Sequence, residues 1–522
     1  MPAPIRLLMA CTLGAFAGAA ALGACRLTGP NEEGACEAFA CEAGAESATE
    51  DVTNSPDVIS DARVDGDAAL ACGDADVMLP TMRCRADITG IVAHPSVMAA
   101  DALGNIYVGS DMVTTKAIGF SIRKFDANCK REWELFSTAA NDCGGVGVRG
   151  IAFDASGNAI IYGQLGNCSS LTFASHVFSG ISVFVTKLSP TGAHLWSKQF
   201  DGEAGARALA VDPLSGRILI TGRFLDRIDF GGGELVRDPG ACAHDDAFVT
   251  LLDSAGGHVF SKRFEAGDCA CPPANGCLLD PLAAAFSPKG EPTFGAQLRG
   301  TLDLGGGKVG SALTNTTGLL ARFDATGTHT FSRAWGSAGV GSIDRLRYDG
   351  DGNLFVVGLA GGGAAIDFGS GVTISNDDGA MAWLAHLDPT LAPKWARIHG
   401  SFQNPGGFGS HTSPGGVGLD RCGSPIMMGT LGNRVDLGDG PVTPSPLQPA
   451  GYMAKYSRTR SFLDKRLFQD DAPNFDAGVV ALHVLGTTDV WGGVALTGEA
   501  TNTRPDFGDG KVGRFFLVRF NP

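Results

Sequence analysis

The side chains best able to do chemistry in this 522-residue chain are ten histidines, fourteen cysteines and a regular series of aspartates. No Gly-x-Ser-x-Gly elbow, phosphate-cradling loop, His-Glu-x-x-His helix or dinucleotide fingerprint accompanies them. Any catalytic site must therefore be assembled from side chains distant in sequence. Histidine is the best general base near neutral pH, so its placement is tested first. His194, His258 and His329 each stand two residues before an aromatic, in successive copies of one pattern. His386 falls in a column otherwise held by Lys124, Lys187, Arg322, Lys455 and Arg519. Recurrence in register points to structural roles. Asp101, Asp154, Asp212, Asp349 and Asp420 end β-rich runs, where a carboxylate caps a turn. Asp229, Asp303, Asp367, Asp436 and Asp506 open Gly-rich elements such as "DFGGG" and "DLGDG". Calcium wants several carboxylate and carbonyl oxygens, and the best loops for it pair Asp436 with Asp439 and Asp506 with Asp509. The plainer reading is that these glycines serve positive-φ turns, and no cofactor is expected.

These residues hang on a unit written seven times and clearest at residues 207–264. There "ALAVD" and "RILITGRF" flank an Asp-Pro-Leu-Ser-Gly turn, and "AFVTLLD" and "HVFSKRF" flank Ser254, Ala255 and Gly256. Four short strands make an antiparallel meander too small to bury both faces, so copies must stack on one another. The first-turn glycine recurs at Gly104, Gly157, Gly216, Gly290, Gly352, Gly423 and Gly486. An aromatic column in the fourth strand runs Trp133, Trp196, Phe260, Phe331, Trp395 and Phe462, which suits packing between units. The pattern predicts an all-β, seven-bladed β-propeller of four-stranded antiparallel blades over residues 77–522, favoured over a linear solenoid by its paired hairpin turns. The last copy ends after its third strand, so residues 78–90 are expected to supply the fourth.

The "D-x-x-G-N-I-Y-V", "D-F-G-G-G" and "D-P-x-G-x-x-L-W-S-K-x-F" elements resemble the tandem β-propeller repeats of bacterial surface proteins and lipoproteins of the myxobacterial and leptospiral type. The last element is also similar to quinoprotein blades. The resemblance spans residues 97–522 and implies a surface-displayed propeller with no single activity attached.

Residues 1–24 read as an export signal, with Arg6 ahead of an apolar run at 7–22. Leu22, Gly23, Ala24 and Cys25 resemble a lipobox, which implies acylation of Cys25 and anchoring in the outer membrane or at the cell surface. Residues 25–76 form a second compositional zone, with 13 acids against Arg26 and Arg63 and one aromatic, Phe39. Such a segment buries too little to offset its chain entropy and is expected to be a disordered tether. The remaining 42 acids and 37 bases nearly balance, which gives no footprint for nucleic acid.

An exported chain favours disulfides. Bonded Cα atoms approach within about 7 Å, whereas a six-residue strand separates the two faces of a propeller by about 20 Å. Cys143 should therefore meet Cys168, and Cys242 shares that face with Cys269, Cys271 and Cys277. Cys36 and Cys41 could close a small loop, while Cys72, Cys84, Cys129 and Cys422 find no assigned partner. A zinc set of Cys269, Cys271, Cys277 and His244 lacks the usual spacing. Long, variable loops on one face are where binding resides on a rigid scaffold. The candidate ligand-binding residues are thus His244, Asp245 and Asp246, with Phe402, Gln403, Asn404, Phe408 and His411. The expected function is a lipid-anchored scaffold for a protein or glycan. The alternative is an exported enzyme of quinoprotein or lyase type, which would gather charged groups of several blades at one mouth of the central channel.

Overall fold

The computed structural model describes residues 82–87, 93–113, 118–139, 143–238, 245–268, 276–311, 316–336, 341–361, 365–375, 381–401, 413–420, 422–431, 435–442, 450–468, 495–499 and 515–520. These residues form an all-β propeller of four-stranded antiparallel blades. Six such blades are described, at 93–136, 147–201, 204–264, 278–335, 341–401 and 413–468. We number them 1 to 6 in chain order.

The count corrects the seven expected from the repeat. The seventh copy is represented by a three-stranded sheet, in which Met82–Asp87 and Ala495–Glu499 both pair antiparallel with Phe515–Phe520. Gly486 and the first strand of that copy lie outside the described residues.

In each blade the strands pair in sequence order. The first strands are Ala93–Ala100, Gly147–Phe153, Ala204–Val211, Leu278–Phe286, Gly341–Tyr348 and Ser413–Leu419. They lie against one another in succession and line the inner ring. Each pairs with its second strand through a register shift at the same place, which leaves Ser96, Arg149, Arg207, Leu282, Asp344 and Gly415 as the extra residues. A bulge bends the strand and re-aims its side chain, so one register position is turned out of the ladder in all six blades.

The core is divided among the interfaces between blades. Phe230, from the first "DFGGG" element, stacks between Phe200 of blade 2 and Phe248 of blade 3, with ring centroids 5.0 and 4.8 Å away. Phe368 sits likewise between Trp335 of blade 4 and Trp383 of blade 5, at 5.4 and 5.1 Å. The aspartate of each described element is committed to its own turn. Asp229 Oδ1 accepts from the backbone N–H of Gly231 and Gly233, and Asp303 and Asp436 repeat the pattern. The element is therefore an apolar plug carried on an aspartate-capped turn.

At the other end of the strands a second repeated device joins neighbours. The fourth-strand aromatic of one blade lies on the turn between strands three and four of the next. A Cβ added at Gly192 would stand 3.2 Å from the Trp133 ring, and one at Gly327 would stand 2.8 Å from Phe260. Both glycines have positive φ, at 82° and 84°. Trp133 Nε1 and Lys124 Nζ donate to the Pro190 carbonyl at 3.1 and 3.0 Å, and Trp395 Nε1 donates to that of Arg458 at 2.7 Å. Lys187 and Arg322 reach the equivalent carbonyls of Ser254 and Pro389. The basic column thus hydrogen-bonds across blades. Its aliphatic stems cover apolar surface while the charged ends find carbonyls and carboxylates, as Lys187 does with Asp154 at 2.8 Å.

Residues 166–182 are the continuation of a hairpin, Ala159–Phe173 with His176–Leu188, which extends past the rest of blade 2 and turns at Ala174 and Ser175. Its outer half buries Leu171, Phe173 and Phe178, enough apolar surface to hold the strands together beyond the blade.

Candidate functional site

The first strands begin, and the second strands end, at the same mouth of the inner ring. There the re-aimed position and its neighbours bring charged side chains together from successive blades. Asp111 of blade 1 accepts from Arg149 Nη1 at 2.9 Å and from the Val148 backbone N–H at 3.1 Å. Asp280 of blade 4 takes Arg207 Nε at 2.6 Å and Arg223 Nε at 3.3 Å, both from blade 3. Arg223 also reaches Asp245 at 3.0 Å. In blade 5, Asp344 accepts from Ser342 Oγ at 2.7 Å, and Arg345 Nε donates to the Gly415 carbonyl of blade 6 at 3.1 Å.

Their environment shifts two of these groups. Burial raises the Asp344 carboxyl above the usual carboxylate range, with Asp280 adding to the rise and Ser342 and Arg345 opposing it. Burial lowers the Arg345 guanidinium, against the pull of Asp344. Arg347, further along the same strand, is pushed down to about 10 by burial.

Between blades 2 and 3 the mouth deepens into a pocket of about 230 Å³. Its polar side presents Gln164, Glu203, Arg207, Arg223 and Asp245, and its apolar side Leu165, Ile181, Phe224 and Leu225. Gln164 is fixed as a positioning group, because its Oε1 accepts from Ala206 N–H at 3.1 Å and its Nε2 donates to Gly145 O at 3.2 Å. Glu203 is exposed on the rim and has no ion-pair partner among the described residues. In the lining, Glu203 and Asp245 balance Arg207 and Arg223. The pocket therefore pairs a charge-balanced polar wall with an apolar shelf.

Of the residues singled out by sequence, Asp245 belongs to this site. Asp246 does not face it: at 1% exposure it lies inside blade 3, ion-paired to Arg263, which also holds Glu265. His244, Phe402, Gln403, Asn404, Phe408 and His411 lie outside the described residues, as do Cys25, Cys242, Cys269, Cys271, Asp506 and Asp509. Asp439 pairs with Lys465, and Asp436 Oδ1 accepts from the backbone N–H of Gly438 and Gly440. No cluster of three or more potential metal ligands occurs among the described residues.

Cys143 is bonded to Cys168 and Cys84 to Cys129. Cys277 and Cys422 are also in disulfides, which removes the Cys277 thiolate from any zinc set.

Five of the described histidines sit in structural contacts. His194, His258 and His329 each lie within 3.1 Å of the serine three residues on, and the rings of His258 and His329 cover Gly232 and Gly306. His386 is stacked on Phe355 at 4.7 Å. His399 is fully buried and bridges Tyr452 and Tyr456.

Sequence reasoning missed Asp111, Arg149, Arg207, Arg223, Asp280, Asp344 and Arg345. The available signal was the unlike set at the re-aimed position, visible only once the register shifts are known.

No family model matches this chain, and no curated protein does. Among solved structures, the Neurospora crassa Pan2 WD40 domain is similar over 85% of this chain and 95% of its own, at 13% identity and a TM-score of 0.41. Chaetomium thermophilum Sqt1, bound to the N-terminus of ribosomal protein L10, is covered fully and covers 85% of this chain, at 11% identity and a TM-score of 0.37. The polysaccharide lyase Uly1 is similar over 84% of this chain and 92% of its own, at 8% identity and a TM-score of 0.37. What identifies this chain as an all-β propeller is its own strand pairing, blade by blade.

Proposed function

We propose that this protein is a binding scaffold, displayed at the cell surface on an acylated Cys25, whose inner-ring mouth recognises a protein or glycan. The observation that carries the reading is the convergence of Asp111, Arg149, Arg207, Arg223, Asp245, Asp280 and Asp344 from five blades at one mouth. They hold positions that the fold leaves free in type, beside a pocket with one apolar and one polar wall. Mutually paired charges of this kind orient a ligand more than they activate one. The anchor follows from the lipobox resemblance and is tested by fatty-acid labelling of the full chain, which Cys25→Ser should abolish.

The recognition reading is tested by binding the residue 77–522 propeller, refolded and checked by circular dichroism, to glycan and envelope-protein arrays. Saturable binding lost in an Arg207→Ala, Arg223→Ala chain supports it. Equal binding by the variant would remove the mouth from the account.

A second reading, chemistry within the ring, is favoured by one observation. Burial raises the Asp344 carboxyl above the usual carboxylate range, the direction that suits a general acid, and Arg345 follows it on the same strand. Turnover of an array ligand that disappears with Asp344→Asn, while binding remains, would replace the scaffold by an enzyme.

A further inference from the structure

At each described junction from blade 1 to blade 6, a bulky fourth-strand side chain lies on the following blade's turn. The receiving residues are Gly192, Gly256, Gly327, Leu391 and Arg460, all with positive φ. Trp133, Trp196 and Phe260 meet the three glycines. Phe331 packs against the core cluster that contains Leu391, and Trp395 donates to the carbonyl two residues before Arg460. The corresponding residue in blade 1 is Cys129, at φ 60°.

The strand that faces it is Met82–Asp87. In its pairing with Phe515–Phe520 the register skips Arg83 and sets Cys84 opposite Arg519. In blade 1 the register skips Glu132 and sets Trp133 opposite Lys124. Arg519 is the Lys124 position, so Cys84 is the Trp133 position. Cys84 Sγ also lies 3.8 Å from the carbonyl of Ala127, the carbonyl that at other junctions accepts from the tryptophan or the basic column. Ala86 of the same strand packs against Met98, Ile106, Val108 and Phe125 of blade 1. At this one junction the aromatic and the turn residue are both cysteine, and they are bonded, with Cα atoms 5.8 Å apart.

We propose that Cys84–Cys129 is a redox latch that closes the ring between the three-stranded sheet and blade 1, in the place where the other junctions use an aromatic on a turn. A dithiol reductant supplies two electrons and two protons, leaving two cysteine thiols and its own cyclic disulfide. Two thiols fill little of the volume of an indole and make no hydrogen bond to Ala127 comparable to that of Trp133 with Pro190. Reduction therefore frees strand 82–87 from blade 1 and opens the ring at this seam alone. Oxidation closes it again. At the described junctions from blade 1 to blade 6 the same place is held by a bulky side chain on a turn and not by a disulfide.

The test is hydrogen exchange by mass spectrometry on the full chain, using substitutions so that the other disulfides stay intact. In a Cys84→Ser, Cys129→Ser chain, amides of 82–87 and 515–520 should exchange at least about tenfold faster while those of 218–224 and 354–360 do not change. A Cys84→Trp, Cys129→Gly chain, which installs the aromatic-on-glycine junction, should regain most of that protection without a disulfide. Cys143→Ser, Cys168→Ser should leave both segments protected. Unchanged exchange at 82–87 in the serine chain overturns the proposal. So does loss of protection spread equally over all six blades, or failure of the Trp–Gly pair to protect the seam.

Discussion

The two ends of the inner ring are made by the same repeat and differ in what they repeat. At the turn end every blade does one mechanical job with one kind of residue. Aspartate or serine caps the turn, an aromatic or other bulky side chain lies on the next blade, and in blades 1, 2 and 4 a basic side chain reaches the carbonyl there. At the mouth the re-aimed position holds Ser96, Arg149, Arg207, Leu282, Asp344 and Gly415, which share a backbone geometry and little else. Where packing sets the residue, the blades agree. Where they disagree at a fixed geometry, packing is not what chooses, and the side chain is available for binding.

The comparison breaks most sharply at the turn end. Trp395 is 7% exposed, touches Phe355 and His386, and donates to Arg458 O across the blade 5–6 junction. Truncation leaves both a cavity and an unmet carbonyl, a combination that costs about 4 kcal/mol. Trp395→Ala should lower the urea midpoint accordingly. A loss under about 1 kcal/mol, within the range of ordinary surface changes, would show that the repeated aromatics are not what joins the blades.

A smaller effect, of opposite chemical character, is written into that same interface. His399 occupies the place of Phe200 and Trp335 at other junctions, but it works by hydrogen bonds: Nδ1 meets Tyr452 Oη at 3.3 Å, and Nε2 meets Tyr456 Oη at 2.8 Å. Tyr456 Oη in turn donates to Leu437 O at 2.7 Å, so it accepts from Nε2–H and the ring is neutral. Burial, with Arg397 adding to it, pushes His399 down to about 3. Below the ordinary histidine pKa of about 6.5 the unfolded chain takes up a proton that the folded chain refuses. Stability is thus lost as pH falls from about 6.5 toward 3, by about 3 kcal/mol at pH 4. His399→Phe should flatten this part of the pH–stability curve, read as the difference between the two chains. Parallel curves would mean that the histidine is not held neutral.

Most of the blade architecture could be read from the chain because it depends on local turn chemistry and period-two alternation, both carried within each repeat. The Gly104 to Gly423 series, the aspartate caps and the aromatic column follow from that alone. The number of complete blades did not follow, since a repeat reports that a unit is present and not that all four strands pair. The Cys143–Cys168 bond joins residues that the fold brings to one face. Cys84 with Cys129 required knowing which strand stands beside blade 1. The mouth was hidden for a different reason. Arg207 and Asp280 are 73 residues apart, and their meeting is set by bulge registers that no periodicity records. Asp246 shows the reverse error: its position beside Asp245 suggested a loop ligand, but it opens the strand Asp246–Leu252, all of whose residues are buried in the blade.

The mouth should respond least of all to damage when stability is what is measured. Arg207 and Arg223 keep about a quarter of their side-chain surface in solvent, at 27% and 22%, and their ion-pair partners Asp280 and Asp245 keep 16% and 21%. Water reaches all four, so the pairs contribute little net free energy, and losing the arginines leaves no fully buried charge behind. An Arg207→Ala, Arg223→Ala chain should unfold within about 1 kcal/mol of the native one in urea. The same substitution should abolish saturable ligand binding. That separation, a near-silent change in stability with a large change in recognition, is the opposite of what Trp395→Ala should give. If the double variant instead unfolds as readily as the tryptophan variant, the charged ring is a structural clamp like the turn end, and the contrast between the two ends disappears.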